Sequence, residues 1–421
     1  MFQKFEKFIF FIQRVKIQRV KNEKKLSFKK SQDDFINRTD SEMKKTILFL
    51  LFVSLFFACK NKVDRNDVNI DDWTIFRGNP SLSGYTKASL PDNPTLLWSF
   101  KSDSYTKSSP IVYNQIVYWS NRRGRIFGVN NEGKQVFDYS FETAVDAIPM
   151  IHDSALYIGR IDGWLSAVSL TKQDTLWNFE TLGQISASPN RIHFEGKDAI
   201  VVGSYDNYLY CIDSQSGKEI SRFESGYYIN GAVALSNNFI VYGGCDGWIR
   251  VVDCISGVQT DSLEVEIYIP ASPAISGDWC YIADHSGNIH EIKLDNGKIA
   301  SHKKIIESQD KNSAFVSVPA VSDKMVYIVS GDRNIYAINR KDGSIAWKYL
   351  LKGDTGESSP VVCNDKLLVC TKSGIISIHD AKTGNLLWEY DTGERIDASP
   401  AVINGYFYVL TFKGTLFCFS S

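Results

Sequence analysis

Two stretches of the chain run in step: SPVVCNDKLLVCTKSGIISIHDAKTGNLLWEYDTG at residues 359–393 and SPAVINGYFYVLTFKGTLFCFSS at residues 399–421. The first copy passes through LLWEY, whereas the second stops before any such run. Anchored on the Pro of SP, the same pattern recurs upstream. The copies start at Pro110, Pro149, Pro189, Gly231, Pro273, Pro319, Pro360 and Pro400, spaced 39 to 46 residues apart, with Gly231 standing where INGAVAL replaces ASPAVIN. Each copy holds a short apolar run, a polar turn, an alternating run such as FYVLT, and a tight turn ending in Gly. A third run such as LYCID, a second turn of the type AKTGN and a fourth run such as LLWEY complete it. Asn207 and Arg333 replace the turn glycine in two copies. Four short strands joined by Gly-bearing turns read as an antiparallel meander. A meander recurring about every 40 residues reads as one blade of a propeller.

The fold expected is therefore all-β: an eight-bladed β-propeller of four-stranded antiparallel blades. Ahead of the first copy lies NPTLLWSFKSD, residues 93–103, whose LLWSF matches LLWEY almost letter for letter. It is expected to supply the fourth strand of the last blade and close the ring, which removes the unpaired edges of an open array.

The third and fourth runs, GIISIHDAKTGNLLWEY among them, resemble the repeat of pyrroloquinoline-quinone (PQQ)-type propellers, and DWTIFRGNPSLSGYT at residues 72–86 resembles their lead-in segment. The resemblance covers residues 72–421. It implies that a Trp late in the fourth run docks on a small residue of a neighbouring blade, a role carried over to Trp98, Trp177, Trp347 and Trp388, with Phe137 a near match. Ser221, Asp261 and Ser301 replace that Trp in the middle copies, so docking is expected to weaken around residues 215–305. The small position reads Gly128, Ala167, Cys211, Ala337 and Cys418, but Val251, Glu291 and Ile378 elsewhere. One branch of the family comprises quinoprotein dehydrogenases, marked by an adjacent Cys pair, a general-base Asp and Ca²⁺ ligands. No Cys-Cys occurs here, and Asp162, Asp206 and Asp246 lie in Gly turns, where Asp is a routine turn former. The other branch is non-enzymatic, and the layout is closest to BamB-type outer-membrane assembly lipoproteins. On that resemblance no catalytic residue, metal ligand or cofactor is expected. A quinone- or carbohydrate-binding propeller, or a PQQ-dependent dehydrogenase, is the alternative.

The amino end carries MKKTILFLLFVSLFFACKNK, residues 43–62. Lys44 and Lys45 precede an apolar run that is too short to span a bilayer and breaks at Cys59. This resembles a bacterial lipoprotein signal, though Phe56 and Phe57 are bulky for its cleavage box. The expected organisation is an upstream extension from a misassigned start (1–42), a signal peptide (43–58), lipidated Cys59 with a charged tether (59–72), and the propeller (73–421). Of 47 Lys+Arg and 48 Asp+Glu, 13 and 6 fall in residues 1–58, so the remainder carries 34 against 42, a net charge of −8. An acidic body excludes the basic footprint that nucleic acid requires. The seven cysteines after Cys59 sit mostly in strand-like runs without metal spacing and are expected as buried free thiols. The six His residues are scattered, only His285 and His290 lying close together.

These readings converge on a monomeric, lipid-anchored scaffold of the bacterial envelope, at the outer membrane, whose partners are envelope proteins such as a β-barrel assembly complex. In such a blade the inter-blade segments and the Gly turns emerge on one face. Three segments stand out there: TAVDAIP (143–149), SGYYINGA (225–232) and EIYIPA (266–271). Tyr227, Tyr228 and Tyr268, with Tyr205, Trp164 and Trp248 in neighbouring turns, are the expected partner-binding residues, because Tyr and Trp bury much area at low entropy cost.

Overall fold

In a computed structural model that describes residues 72–265, 268–307 and 315–421, the chain forms eight blades of four antiparallel strands. Blades 1–7 are consecutive in sequence, at residues 111–140, 150–180, 190–224, 234–264, 274–306, 320–350 and 361–391. Blade 8 takes three strands from Ala401–Ile403, Tyr406–Leu410 and Thr415–Ser420, and its outermost from Thr95–Lys101. The expected closure is thus present: Trp98 faces Cys418 and Lys101 faces Thr415 across an antiparallel ladder. Cys59, the signal-like run and nearly all of the tether lie outside the described residues.

First strands line the axis, where those of blades 4–7 and of blades 8 and 1 touch their neighbours. Second and third strands are buried on both faces, as in Ala155–Gly159, because blades stack on either side. This is why their sequences read as near-continuous apolar runs. The turn between them takes a positive φ in all eight blades, at Gly124, Gly163, Asn207, Gly247, Gly287, Arg333, Gly374 and Gly414. At Gly124 a Cβ would also lie 2.2 Å from the carbonyl oxygen of Thr143, so the following inter-blade segment leaves no room for a side chain.

Every outermost strand carries a register shift that leaves a residue unpaired, Leu97, Val136, Leu176, Ile220, Thr260, Ala300, Ala346 and Leu387 in blades 8 and 1–7, and blade 5 has a second at Ile305. Such a bulge adds twist and blunts an exposed edge. The residue after it is the one expected to dock. Trp98 Nε1 donates to Asn131 O in blade 1 (2.8 Å), Trp177 Nε1 to Ser214 O in blade 3 (2.9 Å) and Trp347 Nε1 to Ala381 O in blade 7 (3.0 Å). Each indole lies on the glycine of that blade's last turn, Gly133, Gly217 or Gly384. Trp388 instead packs edge-on against Phe407 and Phe419 of blade 8.

Two sequence expectations change. Ala167, Ala337 and Cys418 face their Trp across the ladder of the same blade, so the small residue of the neighbour is the turn glycine instead. The repeat in blade 4 is anchored at Val233 rather than Gly231, because its first strand is Ala234–Ser236, displaced by the longer first two strands of blade 3, Asn190–Phe194 and Lys197–Gly203.

Residues 72–92 run as a belt along the inner edges of the first strands. Trp73 exchanges backbone hydrogen bonds with Val112 in blade 1, and Thr74 O accepts from Ile151 N in blade 2. The carbonyls of Pro80, Ser81, Ser83 and Gly84 accept from Leu235, Ile275, Val321 and Val362 in blades 4–7, and Ser89 O accepts from Gly405 N in blade 8. Phe76 packs against the cores of blades 1–2, 4–5 and 5–6 at once, which sets its ring at the axis. Beside it Arg77, fully buried, donates to the carbonyls of Pro360 (2.5 Å) and Pro319 (2.9 Å). Burial pulls its guanidinium down to about 9.

Candidate docking face and axial cup

The inter-blade segments and the second-to-third turns share one face of the disc, joined by backbone bonds. Ile161 N donates to Ala144 O, Tyr205 N to Gln184 O, His285 N to Tyr268 O and Phe412 N to Arg395 O. This face surrounds an axial cup of about 670 Å³ that Phe76 helps line. The serines preceding the anchor prolines, Ser109, Ser188, Ser272, Ser359 and Ser399, line it too. Three of them form a chain: Ser359 Oγ accepts from Val318 N, Ser399 Oγ from Ser359 N, and Ser109 Oγ from Ser399 N, all within 3.0 Å. The wall acids Asp146 and Asp397 are paired with Arg122 (2.8 Å) and Arg395 (2.7 Å).

On the rim the structure brings Tyr205, Tyr227 and Tyr228 together. Tyr205 stacks on Tyr228 at 4.8 Å, and the Tyr227 ring lies 4.3 Å from that of Tyr228. Hydrogen bonding to Tyr227 pushes the Tyr228 phenol up. Tyr227 keeps 43% of its surface exposed, and Leu182, beside Tyr205 and Asp206, keeps 95%. Tyr268 stacks on His285 at 4.4 Å and keeps 40% exposed. Tyr205 and Tyr268 both line the cup. Among the described residues Trp164 and Trp248 make no ring contact with these tyrosines: each begins a third strand, opposite Glu180 and Glu264, and is half-buried. Sequence reasoning missed Leu182, because only aromatic residues were sought. It also missed Tyr105, which stacks on Phe412 at 5.5 Å with Arg395 over the same ring at 4.9 Å. Tyr105 sits in the inter-blade segment before blade 1, the same signal that singled out Tyr227.

The turn acids are engaged in the turns themselves. Asp162 pairs with Arg160, and Asp206 accepts from Tyr210 Oη at 2.7 Å and from Leu182 N at 3.0 Å. Asp246 pairs with Arg250 at 2.5 Å; burial works to raise its pKa, but the arginine prevails and holds it below the usual carboxylate range. Among the described residues, the one group of three His/Cys/Asp/Glu side chains close enough to share a metal is His152, Asp153 and Asp198, at the joint of blades 2 and 3. None of the three lines the cup. Among the described residues the cup's three acids, Asp146, Glu357 and Asp397, do not form the close carboxylate cluster that a Ca²⁺-bound quinone needs.

A family model described as "Outer membrane protein assembly factor BamB" matches residues 161–318 and 300–421, more than half of the chain. The chain belongs to this family. Among curated BamB-family members, the outer membrane protein assembly factor BamB of Yersinia pestis is 26% identical over 155 residues, covering 33% of this chain and 38% of that protein. The crystal structure of BamB from Moraxella catarrhalis superposes with a TM-score of 0.67 at 18% identity, covering 78% of this chain and all of that one, a likeness of fold. Outside the BamB name, the quinohemoprotein alcohol dehydrogenase ADH-IIG of Pseudomonas putida is 27% identical over 112 residues, covering 23% of this chain and 16% of that enzyme.

Proposed function

We propose that the protein is a non-catalytic scaffold of the bacterial envelope that docks other proteins on its inter-blade face, in the setting of outer-membrane protein assembly. The observation that carries the reading is the rim where Tyr205, Tyr227 and Tyr228 stack, with Tyr227 exposed, together with the exposed Leu182 of the preceding inter-blade segment, whose N–H is held by Asp206 next to Tyr205. Exposed Leu and Tyr grouped at loop tips are what a protein interface concentrates. The family match supports the setting. Tyr228→Ala combined with Tyr268→Ala tests the face: the melting temperature should hold while recovery of envelope proteins from detergent-solubilised membranes falls. Undiminished recovery sets the face aside. On the same reading Cys59 carries the lipid anchor. Cys59→Ser should then leave the membrane fraction of the exporting host, whereas retention there as an uncleaved protein refutes the anchor.

A second reading places a small ligand in the axial cup, favoured by its volume and by the quinohemoprotein relative. The cup's described carboxylates are Asp146, Glu357 and Asp397; two are already paired with arginines and the three do not draw together, which does not fit a Ca²⁺-bound quinone. Titration with PQQ and Ca²⁺, followed by dye-linked oxidation of alcohols, separates the two readings.

A further inference from the structure

At the joint of blades 3 and 4 the docking Trp is replaced by Ser221, whose hydroxyl donates to the carbonyl of Cys254. That carbonyl corresponds to Ser214 O, the acceptor of Trp177 one joint earlier. Cys211 faces Ser221 across its ladder, as Ala167 faces Trp177. Cys211 and Cys254 thus flank the space that an indole fills at the joint before, and their sulfurs lie 3.0 Å apart, closer than two unbonded sulfurs rest. Both side chains are almost fully buried, at 2% and 1% exposed. Among the described residues no other pair of cysteine sulfurs is in such contact.

We propose that Cys211 and Cys254 are a modification site: on oxidation they form an inter-blade disulfide that replaces the missing tryptophan as the clasp between blades 3 and 4. The oxidant is a disulfide, such as oxidised glutathione or an oxidised thiol–disulfide exchange protein. One cysteine thiolate attacks a sulfur of that disulfide, whose other sulfur leaves as a thiolate and takes a proton. The second cysteine thiolate then attacks the mixed disulfide and expels the remaining thiol. Two protein S–H groups become one S–S bond, and one oxidant disulfide becomes two thiols. In the folded blades contact with Cys211 and burial push the Cys254 thiol up, away from its reactive form. The exchange therefore belongs to the stage before blades 3 and 4 close. The bond would span 43 residues of chain, restraining the unfolded state. Nothing in this inference depends on the docking reading.

The test is refolding of the full chain in oxidised glutathione, then alkylation and peptide mapping without reductant. The expected product joins the peptide bearing Cys211 to the peptide bearing Cys254, with the loss of two hydrogens, and its melting temperature drops by several degrees when reductant is added. In Cys254→Ser, Cys211 should be alkylated. If Cys211 and Cys254 in refolded wild type are separately alkylated, or each carries glutathione, the proposal fails. The wild-type map decides this even where the variant does not fold.

Discussion

Trp98 shows how much rests on one side chain of a blade. Its ring packs on Gly133 of blade 1 and its Nε1 caps Asn131 O, so a single residue ties the closing strand to the first blade. Trp98→Ala should lower unfolding stability by about 2–4 kcal/mol, the range for losing a half-buried indole. Trp98→Phe should lose about 1 kcal/mol, the net worth of the hydrogen bond. Urea titration of both variants checks the order. Arg333 offers the opposite sign. It is exposed and holds φ at 67°, where seven blades place Gly or Asn. Arg333→Gly should therefore stabilise by roughly 0.5–1 kcal/mol, as relief of a left-handed non-Gly residue allows. Its melting temperature should rise, and a fall would show that the side chain holds the turn. A pH effect resides at His379, buried against Tyr349, with Nε2 2.9 Å from Ser377 Oγ and Nδ1 3.2 Å from Gly384 O. Burial lowers its pKa from 6.5, against the opposing pull of the Gly384 carbonyl. The unfolded chain then binds a proton at higher pH than the folded one. The stability contributed is complete above the ordinary imidazole range and drains away as pH falls below it. Between about pH 7 and pH 5 the wild type should lose melting temperature faster than His379→Gln; parallel slopes would remove His379 as the cause.

Between blades, the joints differ in their chemistry. Joints 8–1, 2–3 and 6–7 use a tryptophan donor on a turn carbonyl. Joint 5–6, where Ser301 replaces the Trp, uses Arg340 of blade 6. It reaches into blade 5 at Ser276 O (2.9 Å), Ser276 Oγ (2.9 Å) and Tyr281 Oη (3.1 Å), while Nη1 also holds Ser322 O (2.7 Å). Tyr281 in turn donates to the buried Glu291, which pairs with Lys303. Arg340→Ala should cost about 2–3 kcal/mol, because it strands several buried acceptors at once. Arg340→Lys should recover only part of this, since an ammonium cannot span the fork. A urea midpoint for Arg340→Ala equal to that of wild type would show that the joint stands without it. Periodicity made the strands, the Gly turns and the Trp positions legible, because each obeys a local rule of pleat, φ or volume. The weakening expected around residues 215–305 rests on the missing Trp residues and on the larger residues, Val251 and Glu291, at the small position. Substitutes such as Arg340 or the Cys211–Cys254 contact depend on which residues face each other across a joint, and no local pattern encodes that. The two-residue displacement of the blade 4 anchor has a similar origin. Gly231 occupied the right distance, but the strand starts where Ala234 can pair with Val241. The tyrosine rim was legible as loop aromatics, yet its stacking around Tyr228, without Trp164 or Trp248 in that stack, required the turns to be placed in space.

Across the whole molecule, one continuous stretch, residues 72–101, performs two tasks. It caps inner strand edges in six blades, bonds the first turn of blade 8 and then becomes that blade's outer strand. Three truncations separate these roles. Loss of residues 60–71 should leave the melting temperature unchanged. Loss of 72–92 with the closing strand retained should lower it, since each stranded backbone N–H costs about 1 kcal/mol or more. Loss of 60–103 should abolish folded protein, and equal melting of all three truncated chains would overturn the arrangement. The lead-in segment could be recognised in the sequence, but not its course: a chain without internal periodicity shows no pattern when its partners are edges spread around a ring. The belt also has a bearing on time. Thr95 pairs with Ser420, 325 residues downstream, and the belt's partners arrive in order from blade 1 to blade 8. For a chain that emerges amino end first, the earliest segment of the propeller would be the last to find its full set of partners. It must stay unspent while each blade follows, and only the final strand releases it from waiting. Early blades can assemble by local contacts, but commitment of the ring is postponed to the completed chain, as high contact order demands. A helper that shields residues 72–101 until the last strand arrives would thus act on the closing step of the ring.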